Sequence, residues 1–296
     1  MDVAEWLRNS RTWAKLAGLT LVLSALFSFD FERLSPAAGF LENPVGWVLL
    51  ALTASVLFGA FTAVSCWSGW RQWSAIFLVF YGVPYVLTVA EAPYIPAVLP
   101  QARVIDLLVD GAIIAGIFAL VTVVAFGRSV AGTSQPPARL AMPGREWIWK
   151  FAAGGAIYLA LFFVFGAAIY SPLAKAMDPS GYTAEQGAIP AAGLALVFPI
   201  EFVRGLGFIA FALPAVMALP YAWKRTGLGI ALLIGVPESA MILLSTSLAA
   251  GLIPAHFVEV LGANLIFGFA MVWLLNHPDR LSLVHLPGPA RLGGVA

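Results

Sequence analysis

Charge is scarce in this chain. Lysine and arginine together number 16 and aspartate and glutamate 15 in 296 residues, so charged residues make up 10% of the whole. An ordinary soluble domain carries roughly 25%. Hydrophobic residues reach 61%. Too few polar groups remain to cover a globule in water, which excludes a soluble domain. The two signs nearly cancel, leaving a net charge of +1. With no basic tract and no acidic tail, no nucleic acid partner is indicated. A single cysteine, Cys66, excludes an internal disulfide and reads as a small apolar filler. Histidine occurs three times, with no pair spaced for haem ligation. P-loop, Rossmann, HExxH and GxSxG signatures are all absent.

Long apolar runs take the place of charge, and lipid is the solvent they suit. A spanning helix needs roughly 20 mostly apolar residues. Eight such spans are expected, over 12–29, 46–66, 72–92, 103–126, 147–170, 189–218, 227–248 and 252–275. The fold class is therefore an all-α integral membrane protein with the bilayer as its main partner. The first run is read as a span rather than a signal peptide, because Phe27, Phe29 and Phe31 stand where a small-residue cleavage site would lie. Ten tryptophans, mostly near span ends, suit an interfacial belt.

Lysine and arginine placement orients the spans. One side collects Arg8, Arg11, Lys15, Arg71, Arg128, Arg139, Arg145, Lys150, Lys224, Arg225, Arg280 and Arg291. The other holds Arg33, Arg103 and Lys175, and Arg204 lies within a span. Both termini are thus expected in the cytoplasm, in a cell (inner) membrane, and an even span number agrees with that.

The chain also repeats itself. Shifted by 153 residues, Trp70-Arg71 falls on Trp223-Lys224, Gly82-Val83-Pro84 on Gly235-Val236-Pro237, Arg103 on His256 and Asp106 on Glu259. At a shift of 135, Lys15 falls on Lys150 and Ala25-Leu26-Phe27 on Ala160-Leu161-Phe162. The change of shift places extra residues of the second half in a loop near 176–188. The organisation expected is a four-helix repeat over 1–126, a cytoplasmic linker over 127–146, a second four-helix repeat over 147–280 and a tail over 281–296. Two four-span units share one orientation, so the repeats are parallel. Pro84 and Pro237 should kink the third and seventh spans at matching depths.

Ionisable groups in hydrocarbon cost at least about 2.5–3.5 kcal/mol each on insertion scales, and often mark a site. Here they are Glu91, Asp106, Asp110, Glu201, Arg204, Glu238, His256 and Glu259, with Asn264 as an uncharged member. By the expected orientation they favour the extracytoplasmic half and the centre, which suggests a polar vestibule open to the outside. Residues three or four apart share a helix face. Asp106 and Asp110 share one, as carboxylates that either share a proton or are solvated at the surface. Glu201 and Arg204 read as an intramembrane ion pair, or as an arginine that binds an anionic group. His256 and Glu259 supply two ligand types for a divalent metal, which needs a third from Asp106, Asp110, Glu238 or elsewhere.

Known intramembrane chemistries fit poorly. The two aspartate-rich sites of membrane prenyltransferases reduce to one, Asp106-Leu-Leu-Val-Asp110, and the paired glutamates of prenyl endopeptidases are missing. The leading functional expectation is a transporter of a small solute or ion, with proton coupling. The alternatives are an intramembrane enzyme acting on lipid or peptide, metal-dependent or not, and a non-catalytic subunit of a membrane complex or homo-oligomer.

Overall fold

Asn9 starts the first long helix. Its side chain accepts the N–H of Arg11, satisfying a donor that the helix cannot. Asn43 does the same for Gly46 at the next long helix, where Pro44 occupies the first turn. The computed structural model describes residues 3–31, 35–91, 103–127, 140, 142–188, 191–245 and 248–277. Arg33, Arg128, Arg139, Arg280 and Arg291, most of the 127–146 linker and the tail lie outside the described residues.

The helices are α1 (Val3–Arg8), α2 (Ser10–Phe27), α3 (Ala38–Glu42), α4 (Pro44–Val64), α5 (Gly69–Tyr81), α6 (Val104–Phe126), α7 (Gly144–Phe165), α8 (Ser171–Met177), α9 (Pro179–Ala188), α10 (Ala191–Ala218), α11 (Trp223–Ile242) and α12 (Ile253–Asn276). Two-residue strands β1 (Phe29–Asp30) and β2 (Ser35–Pro36) pair antiparallel between α2 and α3. Among the described residues, six segments are long and apolar enough to cross a membrane: Pro44–Val64, Val104–Phe126, Gly144–Met177, Ala195–Ala218, Trp223–Ile242 and Ile253–Asn276. Helices α2 and α5 occupy the first and third expected spans.

Large apolar side chains face outward as well as inward. Leu21, Val124 and Ile148 are each more than 70% exposed. A water-soluble protein does not present such a surface, whereas lipid wets it.

Proline marks irregular turns in one of these helices and lies within others. Pro84 lies in a π-helical segment, Gly82–Leu87, that continues α5. Lacking an N–H, proline breaks the regular ladder, and the wider turn absorbs the lost bond. A second π-helical segment, Gly166–Tyr170, joins α7 to α8 just before Pro172. Pro237 sits inside α11, and Pro199 and Pro214 inside α10, without ending either helix. The expected loop near 176–188 is instead the helix α9, with α8 before it. The seventh helix starts at Trp223 and ends at Ile242, earlier at both ends than its expected span.

Packing joins α2 to α4 and α6, and α5 to α6. It joins α7 to α10 and α12, and α11 to α12. Between these two groups, α10 packs on α5 and α11 on α4. Phe58, Phe80 and Phe118 meet in the first group, with ring centroids 4.7–5.7 Å apart. Tyr158, Phe208 and Phe267 meet in the second, at 4.8–5.6 Å.

Two lysines cap helix ends. Lys15 Nζ donates to the Ala125 carbonyl at 2.5 Å, at the end of α6. Lys150 Nζ donates to the carbonyls of His277 at 2.7 Å and Leu275 at 3.3 Å, at the end of α12. It also lies 2.8 Å from Glu146 and is fully buried. The sequence places Lys150 among surface charges. The structure buries it because the last carbonyls of α12 and Glu146 satisfy its ammonium. Trp6 departs from the interfacial belt in the same way, buried against Phe126 at 5.5 Å.

Candidate functional site

Arg204 is the centre of the buried charges. Glu201 and Arg204 stand three residues apart on α10, so they share a face, and Arg204 Nη1 lies 2.8 Å from Glu201 Oε2. The same Nη1 contacts Glu91, which follows the π-helical end of α5. Arg204 Nη2 lies 3.4 Å from Glu238 Oε1 on α11. The other Glu238 oxygen accepts the Asn264 side-chain N–H from α12 at 2.6 Å. Glu201 is completely buried, and Arg204, Glu238 and Asn264 are buried as well.

Aromatic rings close over the guanidinium. Its carbon lies 5.6 Å from the Tyr158 ring centre and 6.0 Å from that of Phe208. Tyr158 reaches it because α7 and α10 approach closely at two glycines. A Cβ on Gly205 would lie 2.7 Å from Tyr158 Cβ and 2.8 Å from Gly155 Cα. Carboxylates therefore occupy the edges of the guanidinium, and rings its faces.

A second polar group adjoins the first. His256 Nδ1 lies 2.7 Å from Glu259 Oε2 on the first turns of α12. Both lie within electrostatic range of Glu91. The His256 side chain is 33% exposed, whereas Glu259 is buried. The ring of Tyr170 meets that of His256 edge-on at 5.4 Å. The Tyr170 hydroxyl donates to Glu185 on α9. Between α8 and α9, Asp178 accepts the Gly181 N–H at 2.8 Å and the Ser180 hydroxyl at 2.9 Å. These bonds hold the Asp178 carboxyl below the usual carboxylate range.

Glu91, Glu201, Arg204, Glu238, His256, Glu259 and Asn264 thus lie near one another, from the first turns of α12 to its middle. Asp106 and Asp110 sit elsewhere. They lie on α6, which packs on α2, α4 and α5. Asp110 Oδ1 accepts the Phe31 N–H at 3.1 Å, tying the segment after β1 to the helix. A Cβ on Gly111 would meet the Tyr85 ring at 2.4 Å, so Tyr85 packs flat against that glycine.

Tyr158, Tyr170 and Glu185 belong to the site but escape a search for ionisable residues in spans. The tyrosines are too common in helices to stand out, and Glu185 falls in a segment expected to be a loop. His256 and Glu259 are engaged with each other. Among the described residues no group of three or more His, Cys, Asp and Glu side chains is arranged to hold a metal ion. The pair is a hydrogen-bonded dyad on one face of α12.

Electrostatics defines what the arrangement can do. Three carboxylates meet one guanidinium, so among the described residues the cluster has an excess of negative charge. In a medium of low dielectric such an excess favours protons or a cation strongly. An anionic group would face three carboxylates at the guanidinium edge.

The fold and the site together define a polytopic all-α membrane protein with a buried charged cluster. Comparison with family models, with curated proteins and with solved structures returns no match for this chain.

Proposed function

We propose that the protein is a proton-coupled transporter of a small solute or ion in a cell (inner) membrane, with the Arg204 cluster as its transport site. Eight helices cross the membrane as two parallel four-helix repeats, with both termini cytoplasmic. A polar vestibule leads to the cluster from the extracytoplasmic side.

Three relationships support the duplication. Lys15 and Lys150 fall on each other at a shift of 135, and each caps the last helix of its own half, α6 and α12. The pairing of α2 with α6 has its counterpart in that of α7 with α12, and the pairing of α5 with α10 in that of α11 with α4. Tyr85 against Gly111 stands where Glu238 against Asn264 stands in the second half, at the 153-residue shift. The first half thus has an aromatic contact where the second has a polar one.

One observation carries the functional reading. Glu91 from the first half and Arg204 from the second meet directly. A buried contact of this kind, at the boundary of two parallel repeats, couples their relative motion to occupancy of the site. Excess carboxylate gives the cluster the means to exchange protons for cargo. Uptake of a panel of radiolabelled amines, metal cations and sugars into proteoliposomes, with and without a pH gradient, tests the reading. If no candidate moves and no pH gradient is dissipated or required, the reading fails.

A further inference from the structure

The second half carries a feature that has no counterpart among the described residues of the first. Helices α8 and α9 form a hairpin whose turn is fixed by Asp178. Its apolar face is held by a small cluster of Tyr170, Ala174, Leu252 and Ala255, with Tyr182 packed against it. Lys175 Nζ lies 5.1 Å from the Tyr182 ring centre, and the Tyr182 hydroxyl donates to Ser171 Oγ at 3.3 Å. These contacts set Glu185 against the Tyr170 hydroxyl. Tyr170 in turn lies edge-on to His256, which is bonded to Glu259.

Exposure is uneven along this series, with Tyr170 buried between Glu185 and the more open His256. Glu185 is half-buried and the His256 side chain 33% exposed, whereas the Glu259 side chain is 9% exposed. Glu91, in contact with Arg204, lies within electrostatic range of Glu259. The charged and titratable groups around His256 are Glu259 on its own helix, Tyr170 at the end of α7, and Glu185, Tyr182 and Lys175 on the hairpin. Glu91 faces it from the end of α5, and Glu238 on α11 lies deeper, beyond Asn264. Carboxylates, a phenol and an imidazole thus stand together, which is the chemistry of a proton shuttle.

We propose that Glu185, Tyr170, His256 and Glu259 form the outer entry by which protons reach the Arg204 cluster, an inference that rests on the transport reading above. A proton from the outer solution is taken up at His256, beside which Tyr170 and Glu185 stand. It passes from the imidazole to Glu259 and on to Glu91, and the imidazole is reprotonated from outside. The net change is one proton moved from outer water to the cluster, with no group left altered. In the first half, Arg103 and Asp106 stand at the positions of His256 and Glu259, and an arginine does not relay protons at neutral pH. The entry therefore belongs to one half only.

The test uses the full-length protein in liposomes with pyranine trapped inside, and proton influx driven by a potassium diffusion potential set with valinomycin. Glu185→Gln and Tyr170→Phe slow the influx severalfold, and His256→Gly slows it about tenfold or more. External imidazole restores the His256→Gly rate, which also shows that this variant is folded. Wild-type rates in all three variants overturn the entry route. Influx that Glu238→Gln abolishes while His256→Gly leaves it unchanged overturns the route and keeps the transport reading. A wild-type protein that passes no protons overturns the route, and one that also moves no candidate solute overturns both.

Discussion

Glu91 and Arg204, 113 positions apart in the chain, touch each other inside the bundle. One follows the π-helical end of α5, and the other lies in the middle of α10. Their contact joins two helix groups that also meet through apolar packing and a bond from the Cys66 N–H to the Ala218 carbonyl, so its loss reaches both fold and site.

Removal of the guanidinium strands two buried carboxylates, Glu201 and Glu238, and the partly buried Glu91. Arg204→Ala should therefore destabilise the protein by about 3–5 kcal/mol, the range for breaking a buried ion pair. Arg204→Lys should recover only part, because an ammonium lacks the planar fork that meets several carboxylates at once. Thermal unfolding in detergent measures both, and an Arg204→Ala protein as stable as wild type would contradict the reading.

The lysine caps should differ in weight. Lys150 is fully buried with Glu146 beside it, whereas Lys15 is exposed. Lys150→Ala should cost about 3–5 kcal/mol, and Lys15→Ala less than about 1 kcal/mol. Replacing Lys150 and Glu146 together by Met and Leu should restore much of the loss, because no charge is then left buried. Denaturant unfolding in mixed micelles checks the order of the variants.

Close approach of α7 and α10 positions the ring over Arg204. Gly205→Ala puts a methyl group 2.7 Å from Tyr158 Cβ and 2.8 Å from Gly155 Cα, both of which are fixed. The helices must part, at about 1–3 kcal/mol. Gly116 has open space where its Cβ would be, so Gly116→Ala should be neutral or stabilising by about 0.5–1 kcal/mol. Melting temperatures of the two variants should move in opposite directions, or only the first should move.

Acid should loosen the α8–α9 hairpin. The Asp178 carboxyl is held below its ordinary value by the Gly181 N–H and the Ser180 hydroxyl. Its ionised form is therefore favoured in the fold. That contribution is complete above the unfolded value of about 3.9 and is lost as pH falls through the lowered folded value. Amide exchange at 179–182 should accelerate between pH 5 and pH 3 beyond the change in intrinsic rate (about the acid limb). Asp178→Ala should abolish that extra change.

Much of the fold was legible because lipid imposes a simple rule, a long apolar run for each crossing. Runs such as Pro44–Val64 and Ile253–Asn276 announce themselves. The gathering of Glu201, Arg204 and Glu238 was also foreshadowed, since charges in apolar helices must find partners. Other features depend on tertiary contacts that no spacing reveals. Lys150 looks like any basic residue at a span end until the carbonyls of α12 arrive beside it. Asp110 looks like a member of the site until the Phe31 N–H claims its oxygen. The hairpin α8–α9 has the polar composition of a loop, and its helices are held by a few contacts at Tyr170, Ala174, Leu252 and Ala255.

The account rests on the Arg204 cluster as the place where protons and cargo exchange. Potential-driven proton influx into liposomes, wild type against Glu238→Gln, tests this most directly. Glu238→Gln keeps the shape of the side chain and its contact with Asn264 but removes the exchangeable carboxylate. The account predicts influx in wild-type liposomes above the protein-free background and background rates with Glu238→Gln. Equal influx through the two proteins, or none through either, would contradict it.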